Sequence, residues 1–189
     1  MPRAGLSPAA VVDVAIELLD EGGPQALTLA AVAARTGVAT PSLYKHVASL
    51  GDLRRLVAVR LYGQVADRLS EAALGHSRDD AVRELMLAYR DYAIRYPHRY
   101  AALPQQPLPD PVLAAAGERV VQVILAVLRG YGLSGSAAIH ATRCIRAAAH
   151  GFCTLQIAGG FQLAEDLDAS YRQLIDMVLA GLPALSQRV

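Results

Sequence analysis

GVATPSLYKHVASLGDL, residues 37–53, gathers Thr-Pro-Ser, Tyr-Lys-His and Ser-x-x-Asp into one short interval. Buried sequence is not composed this way, so the stretch reads as a helix with its polar side turned from the core. Thr40-Pro41 places a capping residue before a proline in the first turn, a signal that opens a helix. Successive residues advance by about 100° around a helix, so Leu43 and Val47 share an inner face, with Val38 beside them, over barely two turns. Pro41, Ser42 and Lys45 then point outward, and Tyr44 and His46 flank them. Ser49 and Asp52 have the spacing of a capping box and start a longer helix carrying Leu53, Leu56, Val57 and Leu61.

Upstream, Thr28 caps a short helix with apolar Leu29, Val32 and Ala33, and Gly37 stands where a left-handed residue would end it. Before that, Ser7-Pro8 opens a helix in which Val12, Ala15, Ile16 and Leu19 recur at helical spacing until Gly22-Gly23-Pro24. Downstream, the helix beginning at Ser49 is expected to run over 49–73 and to fray near Gly75. Ser77-Arg78-Asp79-Asp80 begins another, whose apolar stripe of Val82, Leu85, Met86, Tyr89, Ala93 and Tyr96 stops at Pro97. PQQPLPDP, residues 104–111, is a proline-rich connection. Val120, Val121, Val123, Ile124, Leu125, Val127 and Leu128 surround the next helix on all sides, the pattern of a buried centre. Two last helices are expected at about 136–158 and 166–182, separated by Gly159-Gly160-Phe161. With 53% hydrophobic residues in a chain of 189 and no strand-like alternation, the fold class is all-α with a sizeable core.

The net charge of +1 gives no general attraction for nucleic acid, so any such role depends on local charge. Residues 35–60 hold Arg35, Lys45, Arg54, Arg55 and Arg60 against the single acid Asp52, whereas 1–34 hold four acids and one basic residue. Cys144 and Cys153 lie nine apart in one expected helix and point in different directions, which suits a reducing cytoplasm. No secretory signal pattern and no uncharged run near the roughly 20 residues of a membrane span is present. No phosphate loop, carboxylate pair in an apolar setting or activated nucleophile suggests an enzyme, and no cofactor is expected. His140 and Cys144, one turn apart, lack further ligands for a metal.

A three-helix unit with a tight turn between its second and third helices is a helix-turn-helix arrangement, in which one helix enters the major groove with its core-free face. The residues alone fit a capped surface helix with a solvated face equally well; the order and lengths of the helices favour DNA. The run LTLAAVAARTGVATPSLYKHVASLGDL, Leu27 to Leu53, resembles the DNA-binding domain of tetracycline-repressor (TetR) family regulators, and the likeness extends over about 7–60. The resemblance implies that Thr28, Thr40, Pro41, Ser42, Tyr44, Lys45 and His46 face DNA, with the tyrosine on a phosphate. Where many members carry a lysine at the start of the fourth helix, this chain has Leu50, and Arg54 or Arg55 would supply the charge. The expected organisation is a DNA-binding domain at 1–50, linked through helix 49–73 to a helical effector-binding and dimerisation domain at 74–189.

In the second half, RAAAHGFCTLQIAGGFQL, residues 146–163, resembles a family subclass named for a Trp-His-Gly motif, with Ala149 in place of tryptophan before His150 and Gly151. The resemblance implies a homodimer formed through helices 136–158 and 166–182 and a pocket for a small-molecule effector. Small residues from Ala141 to Gly151, together with a stripe of Leu167, Tyr171, Leu174, Ile175, Val178 and Leu182, fit the dimer. Met86, Tyr89, Tyr92, Tyr96, Tyr100, Phe152, Gln156 and Phe161 mix apolar walls with hydrogen-bonding tips, as ligand cavities do, and equally as an ordinary core does. The reading is a repressor that binds a near-palindromic operator and is released by effector; the alternative is a helical small-molecule-binding protein or an activator.

Overall fold

The computed structural model describes residues 6–104 and 110–186, so most of the proline-rich connection lies outside the described residues. Within these, the elements are α1 (Pro8–Gly22), α2 (Leu29–Thr36), α3 (Thr40–Leu43), α4 (Leu50–Ala73), α5 (Arg78–Arg95), α6 (Pro97–Ala102), α7 (Pro111–Leu128), α8 (Gly135–Ile157) and α9 (Leu167–Ser186), with a single 3-10 turn at Arg129–Tyr131. The fold is all-helical. Two compact units divide it: residues 1–62 with 96–117, and residues 63–95 with 118–189. Helices α4 and α7 each supply a segment to both.

In the first unit the local signals act as their chemistry requires. Ser7 and Thr28 cap α1 and α2, each hydroxyl accepting a backbone N–H from three residues on. Gly37 closes α2 at φ 71°, ψ 28°, a left-handed conformation that glycine adopts without a Cβ clash. Val11, Val12, Ala15, Ile16 and Leu19 of α1, Val32 and Ala33 of α2, and Leu53, Val57 and Leu61 of α4 are buried with Leu43 and Val47. Arg35 of α2 makes a two-pronged bond to Glu21 of α1, and Arg60 of α4 bonds Asp13 of α1.

Helix α6 departs from the sequence pattern, in which Pro97 reads as a stop. It is also a start: proline sits in the first turn of α6, where its missing N–H costs nothing. The new helix docks on α1 through Arg99, which grips both carboxylate oxygens of Asp20, while the His98 ring lies 3.1 Å from the Asp20 carbonyl.

Two further expectations are corrected. Helix α7 is not a buried centre: among the seven residues from Val120 to Leu128 singled out above, only Ile124 and Leu128 are buried. An apolar circumference therefore does not imply enclosure here. The stretch Pro111–Tyr131 is long and apolar enough to cross a membrane by length and composition, although it carries Glu118 and Arg119. The α9 stripe, in turn, is not left wet within one protomer. Tyr171, Ile175 and Leu182 are buried in the second unit, where α9 packs on α5 and α8.

Candidate nucleic-acid interface and effector region

Thr40 is the first residue of α3 rather than its cap. Ala39 holds the cap position without a side-chain bond, and its carbonyl accepts the Ser42 N–H at 2.8 Å. The segment is one α-helical turn, continued by hydrogen bonds from the N–H groups of His46 and Val47 to the Leu43 carbonyl. Leu43 has no exposed surface, whereas its neighbour Tyr44 is 56% exposed. Pro41 and Lys45 are also exposed, and Thr40, Ser42 and His46 are half-buried. Thr28, at the start of α2, is exposed. The segment therefore exposes the Pro41 ring, the Tyr44 phenol and the Lys45 ammonium, with the Thr40 and Ser42 hydroxyls and the His46 imidazole partly covered.

Its exit is fixed by Asp52. The Ser49 hydroxyl accepts the Asp52 N–H at 3.0 Å, and the Asp52 carboxylate accepts the Ala48 N–H at 2.9 Å rather than that of Ser49. This backbone bond, together with the Arg55 guanidinium, holds the Asp52 carboxyl below the ordinary carboxylate range.

The local basic excess in the sequence is mostly spent inside the fold. Arg35 and Arg60 pair with acids of α1, while Arg55 pairs with Asp52 at 2.9 Å and with Asp110 at 3.6 Å. Among the described residues Arg54 has no ion-pair partner, and it and Lys45 are exposed. Sequence counting could not separate these cations, because each acid that binds one lies 14 or more residues away or, for Asp52, within a single helical turn.

In the second unit, four of the eight expected ligand residues gather around Arg90 of α5. Its Nε donates to the Gln156 amide oxygen at 2.9 Å and its Nη2 to the Asp168 carboxylate at 2.7 Å. The guanidinium lies 5.0 Å from the Tyr171 ring centre and 5.7 Å from that of Phe152, and Phe152 contacts Phe161 at 4.7 Å. The Tyr171 hydroxyl donates to the Met86 carbonyl at 2.8 Å, and burial pushes its pKa up. Tyr92 is buried in the same unit, with Arg68 over its ring, and Tyr89 is half-buried. Tyr96 and Tyr100 belong to the first unit, where Arg99 stacks on Tyr96. Arg90 was missed from the sequence; the available signal was its position one turn after Met86, a cation entering an apolar stripe. Burial and nearby Arg146 hold the His150 imidazole below its ordinary range, and burial pushes the Cys153 thiol up to about 11.

Residues 11–49 match the family model described as bacterial regulatory proteins, tetR family, and residues 82–178 match one described as tetracyclin repressor-like, C-terminal domain. The HTH-type transcriptional regulator Rv0681 of Mycobacterium tuberculosis is 38% identical over 95% of this chain and 83% of its own length. The chain belongs to the tetR family. YobS of Bacillus subtilis, another HTH-type transcriptional regulator, is 33% identical to this tetR-family chain over 96% of it and 95% of that relative. At the level of fold, a Rhodococcus protein superposes with a TM-score of 0.84 at 19% identity, covering 97% of this chain and 99% of that one. A TetR variant of Acinetobacter baumannii in complex with minocycline superposes with a TM-score of 0.71 at 22% identity, covering 96% and 98%.

The family consists of DNA-binding transcriptional regulators rather than enzymes, and its members act as dimers and bind small-molecule ligands. The tetR-family chain thus presents its polar one-turn helix in the part of the sequence that the family's N-terminal model matches.

Proposed function

We propose that this regulator is a repressor: a cytoplasmic homodimer that binds a near-palindromic operator and releases it when a small-molecule effector occupies its C-terminal half. The observation carrying this reading is the division across α3 and the turn that follows it, with Leu43 fully enclosed while Pro41, Tyr44 and Lys45 face solvent. A narrow helix with one free polar face suits the major groove, and hydroxyl, phenol and ammonium groups suit phosphate oxygens and base edges. Thr28, Thr40, Ser42, Tyr44, Lys45 and His46 are the proposed contacts, with Pro41 against the groove wall. Arg54 is the preferred phosphate partner from α4, since Arg55 would have to leave Asp52 and Asp110. The effector region is the Arg90 cluster with Met86, Tyr89, Tyr92, Phe152, Gln156 and Phe161, in keeping with the minocycline bound by the Acinetobacter relative.

The test is fluorescence anisotropy with duplexes covering the DNA that flanks the protein's own gene. A saturable complex is expected, with log affinity falling linearly against log salt at a slope of about −0.9 per neutralised phosphate. Lys45→Ala and Arg54→Ala should each weaken binding and reduce that slope by about one unit. A folded protein indifferent to every flanking duplex would overturn the reading. Transcription in vitro from a promoter overlapping the bound site separates repression from activation.

A further inference from the structure

We propose that the first unit contains a second ligand site, a cavity that binds a small amphipathic organic anion. The cavity has a volume of about 370 Å³ and is lined by Arg54, Arg55 and Ala58 of α4, Ala102 of α6, Asp110 at the cap of α7 and Leu113. That volume lies within the roughly 300–1,000 Å³ of ordinary ligand pockets. All of these residues belong to one compact unit, and none belongs to the effector region around Arg90.

The lining decides the ligand. Ala58, Ala102 and Leu113 offer methyl and isobutyl surface, which favours an apolar body and repels nothing but bulk. Two guanidiniums and one carboxylate line the cavity, and with Asp52 bound to Arg55 the charges around it balance, so the attraction for an anion rests on Arg54. Arg55 is balanced by Asp52 and Asp110, while Arg54 is exposed and has no ion-pair partner among the described residues. Arg54 and Arg55 also stand in the opening turns of α4, where the helix dipole adds to the attraction for an anion.

The Arg55 contacts rank themselves. The bond to Asp52 is 2.9 Å, a charge-assisted hydrogen bond, whereas the 3.6 Å approach to Asp110 is an ion pair beyond hydrogen-bonding distance. Asp110 in addition accepts the Leu113 N–H at 2.7 Å and keeps that role when Arg55 turns. A ligand carboxylate or sulfonate can therefore exchange with Asp110 at Arg55 and take Arg54 as its second partner. A neutral compound gains only an uncharged hydrogen bond from Arg54, and a cation is repelled by it.

The experiment uses the full chain without DNA, so its result is independent of operator binding. 1-Anilinonaphthalene-8-sulfonate is titrated by fluorescence into wild type, Arg54→Gln, Arg54→Lys and Ala102→Phe, each with a wild-type melting curve. Ala102 is half-buried, and Ala102→Leu replaces the phenylalanine variant if that one melts early. Saturable one-to-one binding is expected in wild type, weakened about tenfold by Arg54→Gln through loss of a charge-assisted contact. Arg54→Lys restores it, and filling the cavity at Ala102 removes the saturable phase. Displacement by benzoate or by decanoate, but not by decyltrimethylammonium, supports the site and tells a flat aromatic acid from an acyl chain. The proposal is overturned if wild type binds no dye saturably, if either Arg54→Gln or the Ala102 variant keeps wild-type affinity, or if the cationic amphiphile displaces as well as the acids.

Discussion

Leu43 and Tyr44 are adjacent in sequence and opposite in fate, one fully enclosed and the other 56% exposed. That opposition yields a pair of separable outcomes. Leu43→Ala leaves a cavity under α3 and should cost about 2–5 kcal/mol in urea unfolding. Tyr44→Phe removes only a surface hydroxyl and should leave stability within about 0.5 kcal/mol, so any loss of DNA affinity measured for it is direct. Asp52 carries a pH dependence as well. Its carboxyl is held below the ordinary 3.8, first by the Ala48 N–H and then by Arg55. A depressed carboxyl contributes stability that is complete above the unfolded value and is lost as pH falls through the lower folded value. Denaturant midpoints of wild type and Asp52→Asn should therefore converge as pH drops below about 3.8, and a constant gap down to the acid limit would show that the charge contributes nothing.

At the scale of elements, punctuation decides what a sequence can announce. Gly37 ends α2 at φ 71°, and a Cβ built there meets no atom within 4 Å, so the cost of a side chain is backbone alone. Gly37→Ala should lower stability by about 1 kcal/mol, with Gly37→Asn milder because asparagine tolerates the left-handed region; equal melting of all three proteins would contradict this. Caps and glycines of this kind made α1, α2, α4, α8 and the start of α9 legible, because each acts on its own few residues. Signals with two meanings were not legible: Pro97 both ends α5 and begins α6, and Pro183 lies inside α9, which continues to Ser186. Long-range partnership was hidden as well. The polar face of α3 follows from local spacing around Leu43, but nothing near Arg35, Arg60 or Arg99 in the sequence names Glu21, Asp13 or Asp20 as its partner. The proposed effector region was half legible for the same reason, since aromatic composition pointed to Phe152 and Phe161 while the placement of Arg90 over Phe152 depends on tertiary packing.

For the whole molecule, burial within one protomer narrows where a second copy can dock. Tyr171, Ile175, Leu179 and Leu182 of α9 are enclosed, so the face left for the proposed dimer is the other one, with Met177 66% exposed and Ala180, Gly181 and Ala184 in solvent. On α8, Ile139 and Leu155 are exposed with Ala147 between them. Small residues flanking one large apolar group let two helices approach closely and bury that group. Gly181 is the informative position, because a Cβ there meets nothing within 4 Å and its φ is not positive. Gly181→Arg should therefore leave the protomer folded, and even slightly favour the helix, while placing a bulky charge in the interface. Sedimentation at micromolar concentration should give a dimer for wild type and a monomer for the variant. The monomer has only one reading head per particle, so its operator affinity should fall by at least about a hundredfold through lost multivalency. A wild-type monomer, or a variant that still pairs, would remove the α8 and α9 faces as the site of assembly.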